Sequence, residues 1–369
     1  MSDKRKARRA KQARRDARRA KKRDTGTTAT SWWSNLLSGA VRGHPGRLLG
    51  LASCLVEVMK PESGERFVDS ILDTLVGLGD RDTTVLIAVL AELLFDEPEA
   101  RERCRREVAE RNHHVPRWIS ALPQLDVYRA VRRVHVLGDL EDVLIGARID
   151  GRHDVTIAVQ INHSMCSNIV DGGVFAYPID ETLNRIAEIE TNFDAVETDL
   201  AEARAWIESA LSKPIIVPRE TKSQSDRPLL RWLVQRLPEG GECRQPSVDW
   251  SEIEEVCARF FSTDAAAPFD SVEHRMLLPE LLGGRHDPLR WSALRAELAI
   301  RYDTYDDYPL EVALDVPDLL RAFIPFAHAQ CGIRDELTAQ TVATLDELRS
   351  GYKRAVLRRD EPWDVDDAV

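Results

Sequence analysis

A histidine, a cysteine and an aspartate lie close together in the segment Asn162–Gly173, which follows a predicted strand. His163 and Cys166 could ligate a metal with Asp171, or His163 could activate Cys166 as a nucleophile. The spacing matches no known metal site, and the alternative is a structural loop in which His163 and Asp171 bond to backbone groups. We keep the three residues as catalytic candidates and predict neither a metal ion nor a cofactor.

Three other groups have residue types that can bind metals. His113 and His114 are adjacent, so they cannot share one helix face, and a loop or helix end is the better interpretation. His328 and Cys331 are three residues apart on a predicted helix, where packing at the helix end is favoured. The acidic run Tyr302–Pro309 lacks the glycine and distal glutamate of an EF-hand loop, which favours a solvated loop.

Common catalytic motifs are missing from the chain. It contains no GxGxxG, GxxxxGK[ST], GxSxG or HExxH pattern. Nucleotide-dependent and common hydrolytic chemistries therefore lack their usual sequence support. We expect a protein that acts without catalysis, and an enzyme with its site at His163, Cys166 and Asp171 remains the alternative.

The charge distribution is strongly asymmetric along the chain. Residues 1–24 hold 13 Lys or Arg and three acids, a net charge of +10, whereas the whole chain carries −11. Subtracting this basic arm leaves −21 for residues 25–369. Basic arms of this kind usually bind nucleic acid or another polyanion.

The composition of the arm predicts nucleic-acid binding that does not depend on base sequence. Its cations can neutralise phosphates, but it has no aromatic residue on which a base could stack. We expect a partner among DNA, RNA and the ribosome; a tail folded on the acidic body and an arm that docks on acidic proteins are the alternatives. The predicted phosphate contacts are Lys4, Arg5, Lys6, Arg8, Arg9, Lys11, Arg14, Arg15, Arg18, Arg19, Lys21, Lys22 and Arg23.

Composition indicates a soluble cytoplasmic protein. Apolar residues make up 43% of the chain, enough for packed cores, and the longest apolar run, 85–94, is short of the roughly 18 residues of a membrane span. The six cysteines form no CxxC pair, which is typical of reduced thiols in a cytoplasm. The arm is followed by a polar segment rather than an apolar one, so a secretory signal is not expected.

The apolar pattern predicts an α+β protein that is predominantly α-helical. We expect an N-terminal helical unit, a small antiparallel or mixed β-sheet at about residues 130–178 and a C-terminal helical unit. The predicted divisions are a disordered arm and linker at 1–30, a helical domain at 31–124, a small α+β unit with a β-hairpin at 125–215 and a helical domain at 216–369.

A change of apolar period locates the sheet. Residues 143–149 and 155–161 alternate between apolar and other side chains, and Asp150-Gly151 lies between the two runs. Because glycine adopts positive φ at little cost, this pair predicts a hairpin turn. Neighbouring apolar segments at 134–136 and 174–177 would complete a sheet of three or four strands.

Helix boundaries follow from apolar spacing and capping residues. An amphipathic helix is expected from Val196 to Leu211, and Asp82 or Thr83 is expected to cap the apolar segment that ends at Phe95. Pro317 is expected at the start of a helix, which Gly332 should end.

Two stretches of the chain resemble an actinobacterial protein family of unknown function, over roughly a quarter of the sequence. They are Ile149–Arg152 with Val159–His163 and Val170–Phe175, and Asp287–Ser292 with Val316–Phe323. The resemblance implies a bacterial cytoplasmic setting and no particular activity. It also implies an acid just before His163, where this chain has Asn162 instead.

Overall fold

The structure is a computed structural model. It describes residues 32–59, 67–213, 226–243, 249–283, 287–301 and 305–359. These ranges contain mostly helices together with one antiparallel sheet, which confirms the predicted α+β, predominantly helical class. The domain boundaries drawn from the sequence stay predictions.

Helices precede the sheet. Pro45 occupies the first turn of α2, as its fixed φ favours, and Gly79 follows α3 at φ +62°. The helices are α1 at 32–42, α2 Pro45–Val58, α3 Phe67–Leu78, α4 Arg81–Leu93, α5 Pro98–Arg111 and the short α6 Arg117–Ser120.

Five strands form the sheet in the spatial order β4-β3-β2-β1-β5. The first four make an antiparallel meander, and helix α7 then carries the chain across one face to the opposite edge. The elements are β1 Asp126–His135, β2 Leu140–Ile149, β3 His153–Asn162, β4 Asn168–Phe175, α7 Ile179–Ala187 and β5 Phe193–Thr198.

The predicted β2–β3 hairpin is present. Asp150 (φ 51°) and Gly151 (φ 63°) occupy the turn, and the amide of Arg152 donates to the carbonyl of Ile149 at 3.1 Å. Two successive positive φ values match the right-handed twist of the flanking strands. The turn pairs Ile149 with His153, which directs the alternating apolar residues of both strands to one face.

Each face of the sheet is covered by helices. The apolar side chains of β2 and β3 lie in the main core beside α2, α8 (Leu200–Leu211) and α9 (Arg227–Val234), and this face is called the inner face below. On the opposite, outer face, α7 packs Ile179 against Val131 and Leu144. Odd-numbered residues of β2 and β3 therefore face the main core, and even-numbered ones face α7.

A second core lies among the C-terminal helices. The rings of Phe260, Phe323 and Trp291 are fully buried in it. Phe323 meets Phe260 edge to face, with centroids 5.2 Å apart. The helices that enclose this core are α10 Trp250–Phe261, α11 Val272–Leu282, α12 Ala293–Arg301, α13 Leu310–Gln330 and α14 Asp335–Arg359.

The segment at Val196 differs from the helix that we predicted. Residues Phe193–Thr198 form the edge strand β5, and the helix begins only at Leu200, with Asp199 accepting from the amide of Ala201 at 2.7 Å. Val196 pairs with Arg132 of β1 and is 54% exposed. Backbone pairing with β1 decides this segment, and the sheet extends beyond residue 178.

Two predicted caps are wrong. Asp80, not Asp82 or Thr83, caps α4, because its carboxylate accepts from the amide of Thr83 at 2.9 Å. Pro317 lies inside α13 rather than at its start. Gly332, at φ +68°, follows the end of α13 as expected.

A tyrosine explains how α13 tolerates Pro317. Proline has no N–H for the carbonyl four residues earlier, which belongs to Ala313. The hydroxyl of Tyr352 in α14 donates to that carbonyl at 2.8 Å, and Tyr352 is only 4% exposed. The hydrogen bond that proline removes from the helix is therefore replaced by a tertiary one.

None of the helices within the described ranges combines the length and apolarity needed to cross a membrane.

Removing the Tyr352 hydroxyl tests this replacement. We expect Tyr352→Phe to lower the free energy of unfolding by about 1–3 kcal/mol, because a buried carbonyl loses its partner. The same substitution beside Pro317→Ala should cost clearly less, since the restored amide can donate to Ala313. Denaturant unfolding of the four proteins in this cycle measures both costs, and equal costs in the two backgrounds would contradict the explanation.

Candidate functional site

Charged side chains lie on both faces of the sheet near the β1–β2 turn. Arg132 and Arg133 are consecutive in β1, and Glu141 and Asp142 are consecutive in β2. Because successive strand residues point to opposite faces, each strand sends one charge to each side. The sheet thus separates two ion pairs, Arg132 with Glu141 on the inner face and Arg133 with Asp142 on the outer face.

The inner cluster consists of Arg132, Glu141, His163, Ser167 and Trp206. Arg132 donates hydrogen bonds from two nitrogens to the Glu141 carboxylate, one of them 3.0 Å from Oε2. Glu141 is only 2% exposed. The guanidinium also lies 4.4 Å from the ring centroid of Trp206 in α8. Such a bidentate pair, stacked on an aromatic ring, holds Arg132 in one orientation.

His163 joins this cluster through both ring nitrogens. Its Nε2 lies 3.3 Å from Oε2 of Glu141, and its Nδ1 lies 3.1 Å from the hydroxyl of Ser167. The ring also meets Trp206 edge to face at 5.7 Å. These contacts are those of a histidine that fixes the β3–β4 turn to β2 and α8.

Electrostatics hold Glu141 in its charged form. Burial by itself would raise the pKa of this carboxyl, but hydrogen bonds from His163 and Arg132 bring it below its ordinary value. Glu141 therefore favours the folded protein at neutral pH, and this contribution is lost as pH falls through its folded-state pKa.

The outer row consists of Arg133, Asp142, Gln160 and Asp171, which are partners across four adjacent strands. Arg133 donates to Asp142 at 2.7 Å, and the amide nitrogen of Gln160 donates to the other oxygen of Asp142 at 3.0 Å. Arg133 also lies 3.4 Å from the carboxylate of Glu190, just after α7. Hydrogen bonds thus connect the side chains of Arg133, Asp142 and Gln160 across three strands.

A small cleft of about 160 Å³ opens over the outer row, between the sheet and the end of α7. Its polar lining is Arg133, Asp142, Gln160, Asp171 and Glu190. Burial raises the pKa of Asp142, against the opposing effects of Gln160 and Arg133. The lining has more acceptors than donors, so the cleft suits a small hydrogen-bond donor.

The structure does not bring the three catalytic candidates together. His163 lies on the inner face, whereas Asp171 belongs to the outer row and accepts from the amide of Gly172 at 2.8 Å. Cys166 is exposed at the β3–β4 turn, where its φ is 57°. The hydroxyl beside His163 is that of Ser167, and the catalytic role of the three residues stays a prediction.

The other histidines have structural contacts. His113 lies 2.9 Å from the Thr84 hydroxyl. His328 is 1% exposed and accepts from the amide of Trp291 at 3.2 Å, and burial lowers its pKa. The thiol of Cys331 lies 3.4 Å from the carbonyl of Ala327, as in a packed helix end.

Several predicted residues fall outside the described ranges. The arm cations, Lys4 to Arg23, are among them, as is the first part of the acidic run, 302–304. Within the described part of the chain, no three His, Cys, Asp or Glu side chains are grouped so that they could hold a metal ion.

A serine, a histidine and an aspartate that the sequence reasoning missed lie together at the start of α11. His274 Nδ1 is 2.9 Å from the hydroxyl of Ser271, and its Nε2 is 3.4 Å from Asp315. Ser271 also accepts from the amide of His274, so its hydroxyl serves as the helix N-cap. The arrangement is explained by capping and by packing between α11 and α13.

Sequence reasoning also missed the two ion pairs of the sheet. The sequence did contain a signal, because Arg132-Arg133 and Glu141-Asp142 are pairs of consecutive charged residues. A strand with one apolar and one polar face would have a charged residue at only one position of each pair. Comparisons with protein-family models, with curated proteins and with solved structures found no match, so the resemblance to actinobacterial proteins stays a prediction.

Replacing Glu141 tests the inner cluster. We expect Glu141→Gln to lower the free energy of unfolding at pH 7 by about 1–3 kcal/mol, because Arg132 and His163 lose a charged partner. The deficit should begin to shrink as pH falls below 4.5, the ordinary pKa of a glutamate, because the unfolded chain takes up a proton there while native Glu141 is still charged. It should be lost once pH has fallen through the lower folded-state pKa, where native Glu141 is protonated as well.

The control is Glu202→Gln, which removes a more exposed carboxylate 3.3 Å from Arg132. It should cost less than about 1 kcal/mol. Urea unfolding between pH 3 and pH 7 compares the variants. Equal costs for the two substitutions, or a Glu141→Gln deficit that is independent of pH, would contradict the interpretation.

Proposed function

We propose that this protein is a non-enzymatic accessory or scaffold protein that binds nucleic acid, free or in the ribosome, through its basic N-terminal arm. The observation that carries the proposal is the charge asymmetry, +10 over residues 1–24 against −21 over the remainder. Phosphate contacts made by lysine and arginine release condensed counterions, and this release supplies most of the affinity of sequence-independent binding.

The body of the protein is consistent with this proposal, because many of the cations that the structure describes there lie beside carboxylates. Arg129 pairs with Asp180 and Glu197 across the sheet edge. In the C-terminal helices, Arg349 and Lys353 both contact Asp318. A polyanion that approached these cations would have to displace local acids, whereas the arm has 13 cations and only three acids.

The contacts of His163 give the catalytic alternative no support. Both of its nitrogens are engaged by Glu141 and Ser167, and Asp171 lies across the sheet. A general base must reach the group that it activates, at a distance of about 3 Å. An arm that docks on acidic proteins remains as a competing outcome of the experiment below.

Removing residues 2–24 tests the proposed function. We expect the full chain to bind duplex DNA and structured RNA with an affinity that falls steeply with salt, at a slope of about −0.9 per neutralised duplex phosphate. The truncated chain should lose this binding, because the remaining residues carry −21. Filter binding over a salt series measures both quantities.

A shuffled arm of identical composition is the matched control and should bind as the native arm does. If the truncated chain retains the affinity of the full chain, the proposal is overturned. Capture of acidic proteins that survives nuclease treatment and competing oligonucleotide would instead support the protein-docking alternative and count against nucleic acid.

A further inference from the structure

A large aromatic side chain lies exposed at Trp32, which follows the basic arm in the sequence. Trp32, at the start of α1, is 65% exposed, and Leu36, one turn later on the same face, is 41% exposed. Helix α1 is anchored to the body, since its residues Leu37 and Ala40 belong to the main core. Trp32 is therefore presented by a packed helix only nine residues after the last arm cation, Arg23.

A shallow groove of about 520 Å³ runs beside this face, between α1 and α2. Leu36 and Leu51 form apolar walls, and Asn35 and Arg47 supply polar groups at its border. The groove is open at Gly50, where an added Cβ would meet no atom within 4 Å. A flat apolar group with a polar edge fits these surroundings.

The charge around the groove suits a phosphate backbone. Residues 25–56 contain no Asp or Glu, although the chain beyond the arm is strongly acidic. Arg42 and Arg47 are exposed in this segment, and neither makes an ion pair with a carboxylate in the described part of the chain. The segment that follows the arm in the sequence is therefore also positively charged.

We propose that Trp32 and the α1–α2 groove form a stacking site for unpaired bases, so that the preferred ligand of the protein is single-stranded nucleic acid. The inference rests on the proposed function, because the arm supplies the phosphate contacts. Proteins that bind single strands combine a cationic track with aromatic rings on which bases stack. Bases inside a duplex are already stacked on each other and cannot reach the tryptophan.

An anionic membrane surface would also attract these cations and an interfacial tryptophan. The groove favours nucleic acid over lipid, because it is concave and has the polar groups of Asn35 and Arg47 at its border. A nucleobase has a hydrogen-bonding edge that can use such groups, whereas an acyl chain has none. Vesicles therefore enter the test as a competing ligand.

The experiment compares Trp32→Ala and Gly50→Leu with the native full-length chain. The first removes the stacking ring, and the second fills the groove. Gly77→Leu in α3 is the matched control, since Gly77 is another helical glycine with nothing within 4 Å of an added Cβ. Ligands are oligothymidylate of about 16 nucleotides, a duplex of the same length and vesicles of phosphatidylcholine and phosphatidylglycerol.

We expect both groove variants to bind the single strand about tenfold more weakly, with duplex affinity and the duplex salt slope unchanged. Gly77→Leu should bind all ligands as the native chain does. Unchanged single-strand affinity in both groove variants would overturn the inference, and so would a loss confined to vesicle binding. The proposed function is tested separately, because it falls only if removal of residues 2–24 leaves duplex binding intact.

Discussion

Each buried charge in the sheet must have a partner of opposite charge, because the sheet buries charged side chains on both of its faces. Arg132 with Glu141 and Arg133 with Asp142 occupy neighbouring positions of two paired strands. An unpaired charge at either position would carry a large desolvation cost. The inner pair also holds the β3–β4 turn in position, since His163 contacts both Glu141 and Ser167. The charged and polar side chains at this end of the sheet therefore connect strands and turns to one another.

Local ion pairing also distinguishes the body of the protein from its basic arm. On the body, cations such as Arg129 and Arg321 are held beside carboxylates of other elements. In the arm, the cations have few acids within reach along the chain. Charge that is locally matched contributes little to long-range attraction, whereas unmatched charge steers polyanions over distances up to about the Debye length. This contrast is the reason why we propose the arm as the main source of phosphate contacts.

The sequence predicted the elements whose signals are local. The apolar alternation with Asp150-Gly151 located the hairpin, and proline and glycine located several helix ends. It failed where a distant partner decides the structure. Val196 lies in a strand because β1 pairs with it, and Pro317 lies inside α13, where Tyr352 donates to the carbonyl of Ala313. The site was only partly predictable for the same reason, since Glu141, the partner of His163, is 22 residues away in sequence.

The most direct measurement is crosslink mapping of the full-length chain at physiological salt, with and without a single-stranded oligonucleotide. Ultraviolet crosslinks to the oligonucleotide identify the residues at the interface, and a zero-length amine–carboxyl reagent identifies lysines held against the body. The account predicts oligonucleotide crosslinks within residues 4–32 and few links from arm lysines to body carboxylates. Oligonucleotide crosslinks confined to the body, or arm lysines joined to body carboxylates equally in both conditions, would contradict it.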